Sequence, residues 1–200
     1  MSQVNWPNHY SDSENFVKKT LAKYPPNTNV YGLGLSMGGL TAFSLASYFK
    51  AVILMAPAIQ RFNLLPKDSV TSNVEARQML KDDPWGYKSP PVIDPHYAAL
   101  LAAKMQFGPN AEKVIPDPTK LIPKFRPYSD FNTPFFIING GLDKLVDPRV
   151  GFDLINTTTN VPNDKKELYF QDDMWHNIWF DRRIMKEIMP RVLSFIKRIK

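Results

Sequence analysis

Hydrophobic positions along the 200 residues follow two rhythms, one at helical spacing and one of short unbroken runs. Phe16, Val17, Thr20, Leu21 and Tyr24 recur at helical spacing behind Ser11-Asp12-Ser13-Glu14. That tetrapeptide reads as a capping box, in which serine and glutamate satisfy each other's backbone donors. Pro25-Pro26 closes this predicted helix. Asn29 to Leu35 is a short run of strand formers broken by glycine. Met37 to Tyr48 follows as a helix with Leu40, Ala42, Phe43 and Ala46 on its buried side. Ala51 to Ala56 is six apolar residues in a row, closed by Pro57, which predicts a strand covered on both faces. Helix and strand alternate from Ser11 to Pro57, the pattern of a parallel sheet.

The middle of the chain breaks the rhythm. Ten of the 18 prolines lie between Pro84 and Pro134, and clean periodicity appears only over Pro95 to Phe107, which reads as one apolar helix. Residues 58–130 are therefore expected to be an irregular, proline-pinned insertion. Regular alternation then resumes. Phe135 to Asn139 reads as a buried strand, and Pro148 to Ile155 as a short helix with Asp147 at its N-cap. Glu167 to Phe170 reads as a strand, and Asp181 to Lys200 as an amphipathic helix through Ile184, Ile188, Val192, Phe195, Ile196 and Ile199. No internal repeat is visible. The expectation is a single domain spanning 1–200, with 58–130 inserted.

Composition narrows the chemistry. Hydrophobic residues at 44% and charged residues at 22% exclude a disordered chain. The lack of cysteine excludes disulfide scaffolds, Cys-ligated metal sites and a Cys nucleophile. Three histidines, His9, His96 and His176, are too scattered for a His-rich metal site. The net charge of +6 is dispersed except near the C-terminus, at Arg182, Arg183, Lys186, Arg191, Lys197, Arg198 and Lys200. A solvated helix face accounts for that patch better than nucleic acid. No run of 18 apolar residues spans a membrane, and Met1 to Tyr10 lacks the pattern of a secretory signal. A cytoplasmic domain, with peripheral contact at membranes, is the expectation.

One pentapeptide carries chemistry. Gly34-Leu35-Ser36-Met37-Gly38 is G-x-S-x-G with a predicted strand before it and a predicted helix after it. A sharp strand-to-helix turn projects the serine hydroxyl, and the glycines on either side are expected to leave room for the turn. The helix starting at Met37 directs backbone N–H groups at developing negative charge. In the order Ser…Asp…His, only two histidines can act as base. His96 falls in the insertion and reads as a surface residue, whereas His176 follows the last strand. Asp143 and Asp147 both follow the strand at Phe135. Asp147 already serves as helix cap, which leaves Asp143 to orient the base, 107 residues after Ser36.

Gly34-Leu35-Ser36-Met37-Gly38-Gly39, the strand ending Leu54-Met55-Ala56-Pro57, the run Gly140-Gly141-Leu142-Asp143-Lys144-Leu145-Val146-Asp147-Pro148 and the late His176 together resemble the α/β-hydrolase superfamily. The Ser-Met-Gly-Gly and Asp-x-x-Val-Asp-Pro runs are most similar to its monoacylglycerol lipase and lysophospholipase branch, which groups with serine-aminopeptidase-type hydrolases. The resemblance covers about Ser11 to Lys200. It implies an α/β fold, a mostly parallel sheet with flanking helices and a lid insertion. It implies Ser36 as nucleophile, Asp143 as acid, His176 as base and Met37 N–H as oxyanion donor, with no cofactor and no metal. The substrate would be a small lipid-like ester, its acyl chain received by Phe62, Leu64, Leu65, Leu100, Met105 and Phe107 of the lid. Packing in a core accounts for any one of those six equally well.

The family also has four strands before the helix at Ser11, and a His-Gly motif that gives a second oxyanion donor. His9 is followed by Tyr10 instead. The expectation is a partial domain lacking the N-terminal strands, whose strand at Val30 to Leu35 offers an open edge for self-association. The alternative to a serine esterase is a non-catalytic, truncated hydrolase-derived fragment with a structural or protein-binding role.

Overall fold

A computed structural model describes residues 6–59, 72, 74–82 and 131–199. Four strands form one sheet in the order β1-β2-β3-β4: β1 at Tyr31–Leu35, β2 at Ala51–Met55, β3 at Phe135–Gly140 and β4 at Lys166–Gln171. Every pairing is parallel, with Leu33 beside Ile53, Ile53 beside Phe136 and Ile138 beside Tyr169. This is the parallel α/β sheet that the alternating pattern predicts.

Both faces are covered, which explains why β2 and β3 are apolar at nearly every position. On one face Val52, Leu54, Phe135 and Ile137 pack against Leu40 and Phe43 of α2 (Met37–Ser44) and Val150 and Leu154 of α4 (Val150–Thr157). On the other, Ile53, Met55, Phe136 and Ile138 pack against Ile188 and against Val192 and Phe195 of α5 (Met189–Arg198). Full burial of each such side chain contributes about 1.5–3 kcal/mol. Asn139 is the polar exception in β3. It is fully buried, and neither amide atom has a hydrogen-bond partner among the described residues.

Several boundaries differ from expectation. The first helix, α1, spans Trp6–Leu21, so Ser11 and Glu14 lie inside it and form no capping box. Pro7 suits the first turn instead, where a missing N–H costs nothing. Glu14 accepts a hydrogen bond of 2.6 Å from Tyr48 and pairs with Lys18 at 3.3 Å. Of the predicted apolar face, Phe16 is 70% and Tyr24 55% exposed, so hydrophobic spacing here does not mean burial. The second helix ends at Ser44 and continues as a 3₁₀ turn over Ala46–Tyr48. The predicted helix from Pro148 starts at Val150. Asp147 caps only the turn ahead of it, its Oδ1 accepting the Arg149 N–H at 3.0 Å.

The C-terminal helix is interrupted as well. Ile184–Ile188 is a π-helical turn, in which Ile188 N–H donates to Arg183 C=O, and α5 begins only at Met189. Pro190 is the physical reason, since it has no N–H to continue the ladder and its ring crowds the preceding turn. Within residues 58–130, α3 (Val74–Asp82) is regular where irregular chain was expected. It occupies the proline-free window between Pro66 and Pro84, and Gln78 braces Asp82 at 2.9 Å. The helix expected over Pro95 to Phe107 lies outside the described residues. Among those residues, no helix is long and apolar enough to cross a membrane.

Among the described residues β1 is hydrogen-bonded to β2 alone, and Leu33 on its second face is 46% exposed. An apolar strand edge without charge or proline is a template for another chain. Light scattering at micromolar concentration is expected to detect species larger than the 22.9 kDa monomer. Leu33→Lys is expected to shift the distribution towards monomer. A monodisperse parent chain would show that the edge is already covered.

Candidate active site

Because all four strands run the same way, their C-terminal ends share one edge, and the chemistry-bearing loops leave from it. Ser36 directly follows β1. Its backbone sits at φ 55°, ψ −117°, a region that side chains rarely adopt and that costs about 1–3 kcal/mol. The conformation is held by its neighbours: Ser36 N–H donates to Met55 C=O at 2.9 Å, while Ser36 C=O accepts from Leu40 at 3.1 Å and Ala58 at 3.0 Å. Met37 opens α2, so its N–H belongs to the first turn, whose donors have no acceptor within the helix.

The glycines around the serine do different work from that expected. A Cβ on Gly34 would lie 2.1 Å from Gly38 C=O, and one on Gly39 would lie 2.9 Å from the Pro57 ring. These two close approaches let strand and helix meet. Gly38 has no described atom within 4 Å of its missing Cβ, so the second glycine of the pentapeptide is not the crowded one. The sequence motif alone misplaces that constraint by one residue.

Asp143 and His176 meet as predicted. His176 Nδ1 lies 2.8 Å from Asp143 Oδ2, with 8% of the histidine side chain and none of the carboxylate exposed. The other carboxylate oxygen accepts the N–H groups of Leu145 at 2.8 Å and Val146 at 2.9 Å. Asp143 therefore faces three donors in the tautomer whose ring proton sits on Nδ1. That leaves His176 Nε2 as an acceptor. Asp147 takes no part. Its carboxylate pairs with the exposed guanidinium of Arg149 at 2.6 Å.

Two loops from neighbouring strands are locked to make this pair. Gly141 N–H donates to Gln171 C=O at 2.8 Å, and Leu142 N–H to Met174 C=O at 3.0 Å. A Cβ on Gly140 would collide with Met174 C=O at 2.1 Å, so only glycine lets the loops approach so closely. Met174 and Ile178, on either side of His176, are fully buried and pin the histidine loop to the core.

A cluster that sequence reasoning missed lies at the base of that loop. Arg183 donates through Nε and Nη2 to Asp181 at 2.7 and 2.6 Å, and through Nη1 to Asp173 at 2.5 Å. These hydrogen bonds hold both aspartate carboxyls below the usual carboxylate range and push the guanidinium up. Arg198 pairs with Glu167 at 2.7 Å, and Arg191 lies over the Tyr169 ring. Part of the C-terminal basic patch is thus spent within the chain, rather than standing as a solvated face.

Ser36 and His176 occupy the same edge, but no hydrogen bond joins Ser36 Oγ to the imidazole. Phe62, Leu64, Leu65, Leu100, Met105 and Phe107 lie outside the described residues. Among the described residues, no group of three or more potential ligands gathers to hold a metal.

No protein-family model and no curated protein matches the sequence. Solved structures do match the fold. A monoacylglycerol lipase from Paleococcus ferrophilus superposes with a TM-score of 0.66 at 12% identity, over 98% of this chain and 77% of that one. A soluble variant of monoglyceride lipase from Saccharomyces cerevisiae, in complex with a substrate analog, gives 0.62 at 18% identity, over 96% and 68%. A thermostable carboxyl esterase from Bacillus coagulans gives 0.64 at 17% identity, over 95% and 71%. The chain has the α/β-hydrolase fold. It has that fold in part, since almost all of it is matched while a quarter to a third of each of these three structures is not.

Melting temperatures of three single variants test the glycine assignments. Gly34→Ala and Gly39→Ala are expected to destabilise by about 1–3 kcal/mol, the cost of forcing packed backbone apart. Gly38→Ala is expected to be neutral or to stabilise by about 0.5 kcal/mol, as alanine does in an uncrowded helix. A loss at Gly38 equal to that at Gly34 would show that both flanking glycines are crowded.

Proposed function

We propose that the chain is a serine hydrolase that cleaves a carboxylic ester of a lipid-like substrate through an acyl-enzyme. The observation that carries this reading is the buried Asp143–His176 pair at 2.8 Å, set on the same sheet edge as a serine held at φ 55°. The lipid-like ester rests on two supports: the resemblance of the Ser-Met-Gly-Gly and Asp-x-x-Val-Asp-Pro runs, and the structural likeness to two lipases and a carboxyl esterase.

The chemistry follows from the residues. His176 Nε2 accepts the Ser36 proton as Oγ attacks the ester carbonyl carbon, and a tetrahedral intermediate forms. Asp143 keeps the imidazole in the productive tautomer and stabilises its charged form. Met37 N–H donates to the developing oxyanion. Collapse expels the alcohol, which takes the proton from His176. Water, deprotonated by His176, then attacks the acyl carbon, the bond to Ser36 Oγ breaks as His176 returns the proton to it, and the carboxylic acid leaves.

A second reading has an observation in its favour. Ser36 Oγ makes no hydrogen bond to His176, and His9 is followed by Tyr10 where the family that the chain resembles has the glycine of a second oxyanion donor. A chain with the triad but half the oxyanion hole would serve as a hydrolase-derived scaffold. Removing one donor costs about 10²–10³ in rate, so the two readings separate by activity and not by fold.

A fluorophosphonate probe tests the nucleophile, because it needs an activated serine but not turnover, and hydrolysis of a short-chain nitrophenyl ester tests turnover. Ser36 is expected to be labelled, and Ser36→Ala to abolish labelling with an unchanged circular dichroism spectrum. Labelling that survives the substitution would overturn Ser36 as the nucleophile, and a parent chain left unlabelled would support the scaffold reading.

Asp143→Asn is expected to slow Ser36 labelling, and any turnover, by up to about 10⁴, the effect of selecting the wrong tautomer. Asp147→Asn is expected to be nearly silent, since the guanidinium it pairs with is exposed and asparagine keeps the oxygen that accepts the Arg149 N–H. Equal losses from both would move the acid to Asp147.

A further inference from the structure

We infer that Arg183 is a positioning residue, which sets the place of the His176 imidazole by tying together the two arms of its loop. The inference rests on the hydrolase reading, in that His176 is taken as the base.

The geometry is that of a clasp. Asp173 stands three residues before His176 and Asp181 five residues after it. Arg183 grips both with one guanidinium: two hydrogen bonds go to Asp181 and a third to Asp173. Asp181 also accepts the Arg183 backbone N–H at 2.9 Å, so the arginine is oriented before it reaches across the loop. The guanidinium is only 12% exposed, Asp181 11%, and Asp173 61%, so the clasp reaches from the packed helix start to the surface arm.

The Asp143 bond fixes one ring nitrogen of His176 and leaves the ring free to swing about that bond. Where Nε2 points is therefore decided by the loop backbone. Its first arm is joined to the Asp143 loop at Met174, and its second is anchored by Ile178. Arg183 joins the arms to each other, which shortens the free loop to Met174–Ile178. Only a planar fork with several donors meets two carboxylates at once. Lysine carries the charge but not the fork.

The test uses the full chain and reads two signals. One is the Ser36 fluorophosphonate labelling rate. The other is the exchange with water of the His176 Nδ1 proton, a strongly downfield resonance assigned by its loss in His176→Gln. Arg183→Gln is expected to speed that exchange and to slow labelling on the order of 10- to 100-fold, as small misplacements of a reacting group do. Exchange of the β3 amides should not change, which a merely structural role would not spare. Arg183→Lys should fall between parent and Arg183→Gln, and Arg182→Gln should match the parent. Should Arg183→Gln fail to fold, Asp173→Asn breaks the clasp from its exposed end and should give the same two changes, with nothing further lost in the double variant.

Unchanged Nδ1 exchange in both Arg183→Gln and Asp173→Asn would overturn the inference. A parent chain that resists the probe would instead count against the hydrolase reading, and Nδ1 exchange would still decide the role of Arg183.

Discussion

In a sheet whose strands all run one way, each strand must release its next loop at the same edge. That constraint places Ser36 after β1, Asp143 after β3 and His176 after β4 at one rim, although the sequence separates the first two by 107 residues. Adjacent parallel strands are about 4.8 Å apart, so the serine and histidine strands stand roughly 14 Å apart at the sheet. Their side chains can meet only if the last loop bends back along the rim. The Gly140–Met174 approach and the Leu142–Met174 hydrogen bond force that bend. The parallel register thus sets the problem, and the two interlocked loops bring His176 as far as Asp143.

Strain at the serine is balanced locally. Ser36 is one of two residues other than glycine with positive φ among those described, and the second, Ala56 at φ 39°, ends β2 alongside it. Ala56 turns the chain so that Pro57 lies over Gly39 and Ala58 N–H reaches Ser36 C=O. One unfavourable backbone position supports the other. Together they cost about 2–6 kcal/mol, an amount that burial of a few side chains such as Ile53, Leu54 and Phe136 offsets. Ser36, at the end of an edge strand, is thereby braced against the fully buried end of β2.

The strands, the elbow and the Asp–His pair were legible in sequence because each leaves a local trace. Runs such as Ala51–Met55 announce a strand buried on both faces, and G-x-S-x-G names its own turn. What was not legible depends on contacts between distant residues, or on one residue working against its surroundings. The apolar spacing of α1 implied a buried face, yet Phe16 is exposed, because spacing shows which residues share a side and not whether anything covers it. Pro190 stood within a periodic pattern, and the pattern concealed the π turn that the proline requires. The real start signal of α1 was Pro7, masked by a well-formed but unused capping box. The Arg183 cluster joins residues ten apart across a loop, a separation with no periodic signature.

Ion pairs in this chain show how burial separates two carboxylates that follow the same strand. Asp147–Arg149 and Glu167–Arg198 are short pairs, but their arginines are 74% and 45% exposed. In water such contacts contribute about 0–1 kcal/mol, and losing one changes little. Asp143 has no exposed side-chain surface, and all of its contacts are to protein donors. Removing His176 would leave a buried charge short of one donor, whereas removing the Arg149 side chain would leave a carboxylate that is 16% exposed and still bonded to the backbone N–H of residue 149. The same chemical pairing is therefore a surface detail at Asp147 and a fixed element of the site at Asp143. Arg183 stands between these limits: it is nearly buried at Asp181 and open at Asp173, the distribution expected of a group that transmits the position of a packed helix to a surface loop.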